Sequence, residues 1–135
     1  MTHINAYLNF NGRCREAMTF YRECLGGELN LQKISESPMA AQLPSEMGNH
    51  ILHGSLTKGN LLLLASDMKG NSLVQGNSVT LCLNCHCGDE ITQYFDKLSK
   101  GGEIKTPLHQ TFWGATYGEL IDKYGMHWIL NCSKN

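Results

Sequence analysis

The sequence has no excess of charge of either sign. Its 135 residues include 11 basic and 12 acidic side chains, so the formal net charge is -1, and neither sign forms a run. Electrostatic binding of nucleic acid or of an anionic membrane surface requires a basic patch or stripe. The composition therefore argues against nucleic acid as a partner.

Long apolar segments are also missing. No stretch approaches the roughly 20 apolar residues of a membrane-spanning helix, and Met1-Thr-His-Ile lacks the basic and apolar regions of a signal peptide. We therefore expect a cytoplasmic protein with no membrane partner. In that compartment the six cysteines are expected to stay reduced, and a chain of this length buries enough core to need no disulfide.

A complete zinc motif and a nucleotide-binding loop are absent as well. Cys82-Leu-Asn-Cys85-His86-Cys87 offers thiolates and an imidazole, but no second Cys-x-x-Cys pair completes a tetrahedron. We interpret this stretch as a cysteine-rich strand end. The chain also has no glycine-rich loop between a strand and a helix, the device that holds nucleotide phosphates.

Periodicity divides the first half of the chain into five elements. Residues 3–10 alternate as in a half-buried strand, and residues 14–25 repeat apolar side chains at helical spacing until Gly26-Gly27 ends the helix. Further strands are predicted over 28–35, 50–57 and 60–66, with a loop over 37–49. The resulting order of elements is βαβββ.

The same order of elements starts again 75 residues further along the chain. The matching segments are Leu8-Asn9 with Leu83-Asn84, Gly26-Gly27-Glu28 with Gly101-Gly102-Glu103, and, at a shorter offset, Gly54-x-Leu56 with Gly118-x-Leu120. A repeat of this length indicates duplication of one βαβββ module rather than a solenoid. The predicted fold class is α+β, with one domain over residues 1–135 and modules over about 1–70 and 76–135.

Alternation along the strands predicts one apolar and one mixed face. In the last part of the chain, strands over 115–121 and 126–132 flank a turn, Asp122-Lys-Tyr-Gly125, in which Asp bonds its own backbone and Gly takes a positive φ. With the helices packed on the apolar outer face, the mixed faces of a curved, cup-shaped mixed sheet line a concave pocket. That cup is the expected ligand site.

These features resemble the vicinal oxygen chelate superfamily, the group of glyoxalases, bleomycin-resistance proteins and extradiol dioxygenases, in which βαβββ modules are paired. Within it the chain is similar to the PhnB-like branch over nearly its whole length. The shared motifs are Tyr7-Leu-Asn-Phe-Asn-Gly12, Ala17-Met-x-Phe-Tyr21, Ala65-Ser-Asp67, Thr111-Phe-Trp-Gly-Ala115 and Asp122-Lys-Tyr-Gly-x-x-Trp128-x-x-Asn131. The resemblance implies a homodimer.

The resemblance also implies where a metal ion would bind. Metal-dependent members place His or Glu ligands on the first and last strand of each module, and those positions fall here at Ala6 or Tyr7, near Leu63, at Cys82 and at Ile129. None of them is His, Asp or Glu. We therefore predict that the usual divalent metal site is absent and that the protein uses no cofactor.

The predicted function is binding of a small, largely uncharged organic molecule in the cup, and turnover of that ligand is left open. The candidate catalytic residues are His53, an imidazole suited to proton transfer, and Cys82, a thiol that becomes a nucleophile where a neighbour lowers its pKa. The candidate ligand-binding residues are Tyr7, Asn9, Asn84, Trp113 and His127.

Each of the main candidates also has a structural interpretation. His53 is then hydrogen-bonded inside the sheet, Cys82 packs as an inert thiol, and His127 is a surface residue after a turn. Phe112-Trp113 forms either a wall of the pocket or a dimer contact.

Two other functions fit the resemblance. One is a metal-dependent lyase, isomerase or dioxygenase with an irregular site at Tyr7, His53 and Asp67, against which the missing metal donors count. The other is a drug-sequestering resistance protein that binds a toxic compound without chemistry. Some PhnB-like proteins are described as demethylubiquinone methyltransferases, a reaction that the missing nucleotide loop does not support.

Overall fold

The computed structural model describes residues 2–133, in two compact units that divide between Val74 and Gln75. Each unit contains the predicted order βαβββ and forms its own four-stranded mixed sheet. The prediction of an α+β fold built from two modules is therefore confirmed. Neither α-helix within residues 2–133 is long and apolar enough to cross a membrane.

The first unit builds its sheet in the strand order β1, β4, β3, β2, with β1 parallel to β4 and the other pairs antiparallel. Its elements are β1 (Ala6–Asn9), α1 (Cys14–Leu25), β2 (Glu28–Lys33), β3 (Ile51–Lys58) and β4 (Leu61–Ser66). The predicted loop after β2 contains short 3-10 helices over Ile34–Glu36, Pro38–Gln42 and Ser45–Met47. The second of these begins at proline, and Ser37 caps it by accepting a hydrogen bond from the Met39 backbone.

Helix α1 buries the predicted apolar stripe and is bonded at both ends to the β3–β4 hairpin. The stripe comprises Cys14, Ala17, Met18, Phe20, Tyr21, Cys24 and Leu25. At the N-terminal end, the carboxylate of Asp67, just after β4, accepts a hydrogen bond from the Cys14 backbone at 3.1 Å. At the C-terminal end, Nζ of Lys58 donates to the carbonyl of Leu25 at 2.8 Å. Each charge has the sign that the helix dipole favours at that end.

The second unit repeats this topology with the strand order β5, β8, β7, β6. Its elements are β5 (Leu81–Asn84), α2 (Asp89–Leu98), β6 (Glu103–Gln110), β7 (Ala115–Ile121) and β8 (His127–Ser133). Helix α2 approaches the sheet closely at Gly118, where an added Cβ would lie 2.7 Å from Cε2 of Phe95. The matching Gly54 is equally crowded, with Cδ2 of Leu31 at 2.8 Å. A side chain is therefore excluded at both glycines, by a helix residue at Gly118 and by a residue of the neighbouring strand β2 at Gly54.

The turn between β7 and β8 has the predicted chemistry. Gly125 has a φ of 86° and donates its backbone N–H to the Asp122 carbonyl at 2.9 Å. The Asp122 carboxylate accepts from the backbones of Tyr124 (2.8 Å) and Met126 (3.1 Å) and from Nε1 of Trp128 (2.8 Å). One buried carboxylate thus links the turn to the tryptophan of the same motif.

A disulfide contradicts the expectation that all six cysteines stay reduced. Cys87, in the turn before α2, is bonded to Cys132 of β8, with Cα atoms 5.3 Å apart. The expectation failed because 45 residues separate the pair in the chain and only the parallel pairing of β5 with β8 brings them together. That pairing continues past β5, where the Cys85 backbone N–H donates to the Asn131 carbonyl at 2.8 Å.

Candidate functional site

Each sheet has one face covered by its helix and one open face, which we define as the face turned away from that helix. In the first unit the buried residues Leu8, Leu56 and Ala65 belong to the covered face, and in the second Trp128 and Leu130 do. Cross-strand partners share a face because side chains alternate along each strand. The strand registers therefore identify the open-face residues of each unit.

The open face of the first unit carries all three of its predicted site residues. The rings of Tyr7 and His53 have centroids 6.1 Å apart and planes tilted by 44°. Asn9 lies on the same face, two residues along β1 from Tyr7. Tyr7 is 46% exposed and His53 is exposed, so both rings are accessible. The roles of these residues stay predictions.

The open face of the second unit carries a thiol linked to two amides. Cys82 of β5 donates its thiol hydrogen to Oδ1 of Asn84 at 3.9 Å, and Asn131 of β8 donates from Nδ2 to the same oxygen at 3.3 Å. Asn84 retains its N–H donors and Asn131 its carbonyl oxygen for other partners. We refer to Cys82, Asn84 and Asn131 as the thiol–amide group. It unites two predicted site residues with Asn131.

Aromatic rings stand beside the thiol–amide group. The predicted residue Trp113 has its ring centroid 6.5 Å from that of Tyr117, at an interplanar angle of 71°. His109 of β6 meets Tyr117 from the neighbouring strand, at 6.1 Å and 76°. Trp113 also packs edge to face against Phe112, which is 96% exposed. We refer to Trp113, Tyr117 and His109 as the aromatic cluster.

Sequence reasoning missed two residues of this face, Tyr117 and Glu119 of β7. Tyr117 pairs with Asn131 and Glu119 with Ile129, so both lie inside the sheet rather than at its edge. The pKa of the Tyr117 phenol is raised, first by burial, then by a hydrogen bond to Glu119, and further by electrostatic interaction with Glu119 and Cys82. These groups are therefore close enough to influence one another.

The internal repeat contained the signal that identifies this missed pair. Gly118-x-Leu120 matches Gly54-x-Leu56, so Tyr117 takes the position of His53. The next open-face position, Glu119, corresponds to Ser55. A site prediction carried from one module to the other would have named Tyr117 and placed Glu119 on the same face.

His127 lies on the predicted face but apart from the thiol–amide group. It pairs with Ile121 at the start of β8 and is half-buried. Asn131 is four residues further along the same strand, a distance of about 13 Å. The structure therefore does not bring His127 to the thiol–amide group, and its role in binding stays a prediction.

Asp67 is engaged in the structure of the first unit and cannot serve the irregular metal site of the alternative hypothesis. Its Oδ1 accepts from the backbone N–H groups of Gly12 (2.8 Å) and Cys14 (3.1 Å), and its Oδ2 accepts from that of Ile51 (2.9 Å). Only 1% of the residue is exposed. A metal ion would have to replace these hydrogen bonds in a buried position.

The positions of the superfamily's metal ligands carry no suitable donor set. In the first unit Tyr7 pairs with Leu64, while the neighbouring Leu63 faces the core; in the second, Cys82 pairs with Ile129. Leucine and isoleucine have no donor atom, and a phenol and a thiol do not replace imidazole and carboxylate. Within residues 2–133 there is no group of three or more His, Cys, Asp or Glu suited to a metal ion. The residues present do not fit the usual divalent ion.

Comparison with known proteins identifies relatives that span the whole chain. The model of the family described as 3-demethylubiquinone-9 3-methyltransferase matches residues 2–131. Protein YjdN of Escherichia coli is 32% identical and covers 97% of this chain and 95% of its own length. Protein PA1353 from Pseudomonas aeruginosa is 33% identical, with a TM-score of 0.87 and full coverage of both chains. The PhnB protein from Bacillus cereus is 25% identical, with a TM-score of 0.78 and coverage of 98% of this chain and all of its own.

Proposed function

The chain belongs to the PhnB-like branch of the vicinal oxygen chelate superfamily, in the family described as 3-demethylubiquinone-9 3-methyltransferase, and from this membership we propose that it binds a small, largely uncharged organic molecule without the usual divalent metal. The residues that support this proposal are a phenol, amides, an imidazole and a thiol. Such groups recognise ligands through neutral hydrogen bonds and ring contacts, whereas a phosphate group calls for Arg or Lys.

The thiol–amide group is the observation that carries the proposal. Its internal hydrogen bonds use one oxygen of Asn84, which leaves amide donors on Asn84 and an acceptor on Asn131. A neighbouring donor and acceptor suit a ligand with a carbonyl or hydroxyl group. The aromatic cluster beside them suits an apolar ring or chain.

Chemistry on a ligand is assigned in this proposal to His53 at the open face of the first unit and, separately, to Cys82 at the open face of the second. Cys82 is the exposed thiol of the thiol–amide group, and a thiolate is an intrinsically strong nucleophile. His53 offers an imidazole, a side chain suited to proton transfer near neutral pH, in ring contact with Tyr7. The family's description names methyl transfer, but these groups favour binding with thiol or acid–base chemistry.

Nuclear magnetic resonance titration with a library of neutral carbonyl and hydroxyl compounds tests the proposal. Binding is expected to shift the side-chain amide resonances of Asn84 and Asn131, in metal-free protein. Asn84→Ala is expected to abolish these shifts, whereas Asn60→Ala, an exposed asparagine in the β3–β4 turn, serves as the matched control. Ligands that bind only after metal is added, or that shift only residues off the open faces, would refute the proposal.

The assembly of the protein follows the same family argument. As in its superfamily, a homodimer is expected, while the proposed cytoplasmic location comes from the sequence pattern alone. The exposed ring of Phe112 supports a subunit contact because large aromatic side chains concentrate at interfaces. Light scattering is expected to give about twice the chain mass of 15.0 kDa, and Phe112→Ser to give a monomer. A monomeric wild-type protein would contradict this part of the proposal.

A further inference from the structure

Glu119 is an acidic residue in the interior of the open face of the second unit. It pairs with Thr106 on one side and Ile129 on the other, and it is only partly exposed. Within residues 2–133 no Lys, Arg or His forms an ion pair with it. Its hydrogen bond with the Tyr117 phenol is a neutral contact, so this partly desolvated carboxylate lacks the cation that usually compensates such a charge. A ligand cation would supply that compensation.

The aromatic cluster lies on one side of Glu119, with Tyr117 next to it on β7. Tyr117 precedes Glu119 by two residues on the same face, a separation of about 7 Å along β7. The rings of Trp113 and His109 are nearly perpendicular to the Tyr117 ring, at 71° and 76°, so they pack edge to face rather than stacked. Trp113 is 60% exposed and therefore has ring surface that no part of its own chain covers. Aromatic faces attract cations, and tryptophan does so most strongly.

We propose that the open face of the second unit recognises the cationic group of an organic ammonium compound, with Glu119 as its counter-ion and Tyr117 and Trp113 as its aromatic walls. The inference rests on the proposed binding function and deepens it. The body of the ligand is uncharged and contacts the thiol–amide group, while one end carries a positive charge.

The chemistry of the position favours an organic cation over an inorganic one. A metal ion needs several oxygen, nitrogen or sulfur donors, and Glu119 is one carboxylate whose neighbours are Thr106, Ile129 and Tyr117. An alkylated ammonium is weakly hydrated and spreads its charge over methyl groups that fit aromatic surfaces. One carboxylate and two rings therefore provide the contacts that an ammonium group needs, but too few donor atoms for a metal ion.

The test compares choline with 3,3-dimethylbutan-1-ol, which has the same shape and a carbon atom in place of the charged nitrogen. Both are titrated into the full-length protein while the backbone amides of Tyr117 and Glu119 and the indole N–H of Trp113 are followed by nuclear magnetic resonance. The wild-type protein is expected to prefer choline by about fivefold or more. Glu119→Gln is expected to remove the preference, and Trp113→Leu to weaken choline binding.

Glu103→Gln is the matched control, because Glu103 is an exposed acid on the edge strand of the same sheet. This variant is expected to keep the wild-type preference. Thermal unfolding of each variant separates a lost site from a lost fold. Equal affinity for choline and the alcohol at this face would overturn the cation inference and leave the proposed binding function standing.

Two further results would also overturn the inference. One is the absence of any shift at Tyr117, Glu119 and Trp113 at millimolar choline, in which case the neutral library still tests the thiol–amide group separately. The other is dissociation of an oligomer by Trp113→Leu with no effect of choline on wild-type protein, which would assign the aromatic cluster to a second copy of the chain.

Discussion

Replacing Asp67 by asparagine is expected to destabilise the first unit without altering its open face. Both carboxylate oxygens accept backbone hydrogen bonds, from Gly12 and Cys14 at the start of α1 and from Ile51 of β3. An asparagine of the same shape keeps one accepting oxygen. Its NH2 group then meets at least one backbone N–H in a buried position, where two donors face each other.

The size of this effect follows from the unpaired groups. Leaving one buried polar group without a partner costs about 1–3 kcal/mol, and hydrogen bonds to a charged acceptor are at the upper end. The loss of the negative charge near the N-terminus of α1 adds about 0.5 kcal/mol. The expected decrease in the free energy of unfolding is therefore about 2–4 kcal/mol, a large part of the 5–15 kcal/mol typical of a whole domain.

Urea unfolding followed by circular dichroism measures this decrease. Asp96→Asn is the control because Asp96 is an exposed carboxylate of α2, and a surface change of this kind alters the free energy of unfolding by less than about 0.5 kcal/mol. If Asp67→Asn is as mild as the control, the carboxylate is not a structural anchor. The alternative site at Tyr7, His53 and Asp67 would then regain support.

Three other predictions concern the second unit and the buried thiols. Removing the disulfide by Cys87→Ser is expected to lower the free energy of unfolding by up to about 4 kcal/mol, since the bond closes a loop with a sequence separation of 45 residues; equal melting temperatures with and without reductant would contradict this. Glu119→Gln is expected to lower the pKa of Tyr117 only in part, because burial, the largest cause of the raised pKa, remains. Since the folded-state pKa of Tyr117 is raised, its contribution to stability is complete below the unfolded-state pKa and is lost as pH rises through the folded-state pKa. An unchanged tyrosinate titration in the variant would contradict the pairing of Tyr117 with Glu119. Iodoacetamide at mildly alkaline pH is expected to alkylate the exposed Cys82 before Cys14, whose pKa burial and the charge of Asp67 raise to about 12, and peptide mass spectrometry showing equal rates would refute this order.

Local patterns were sufficient to predict most of the fold. Alternation predicted the strands and their faces, and the buried residues Trp128, Leu130 and Cys132 of β8 lie on the predicted side. Turn chemistry predicted the bonds of Asp122. These features depend on neighbours in the sequence, which is the information that periodicity contains.

Features that depend on distant strands were harder to predict. The disulfide and the hydrogen bonds of Asp67 to Gly12 and Cys14 join residues that the parallel strand pairs bring together. Glu119 was missed for another reason, because a lone acid in a strand has no local signature. Alternation and its correspondence to Ser55 place it on the open face, but neither marks it as part of a site.

The two modules fasten the start of their helices to the sheet by different chemistry. The first turn of α1 is bonded to the end of β4 through Asp67, whereas the turn before α2 is joined to β8 by the covalent bond of Cys87 and Cys132. Amide hydrogen exchange reports local openings as cooperative units. In a reducing medium α2 loses its tether while α1 keeps its own. The chain is thus a duplicated fold in which one copy responds to the redox state of its surroundings and the other does not.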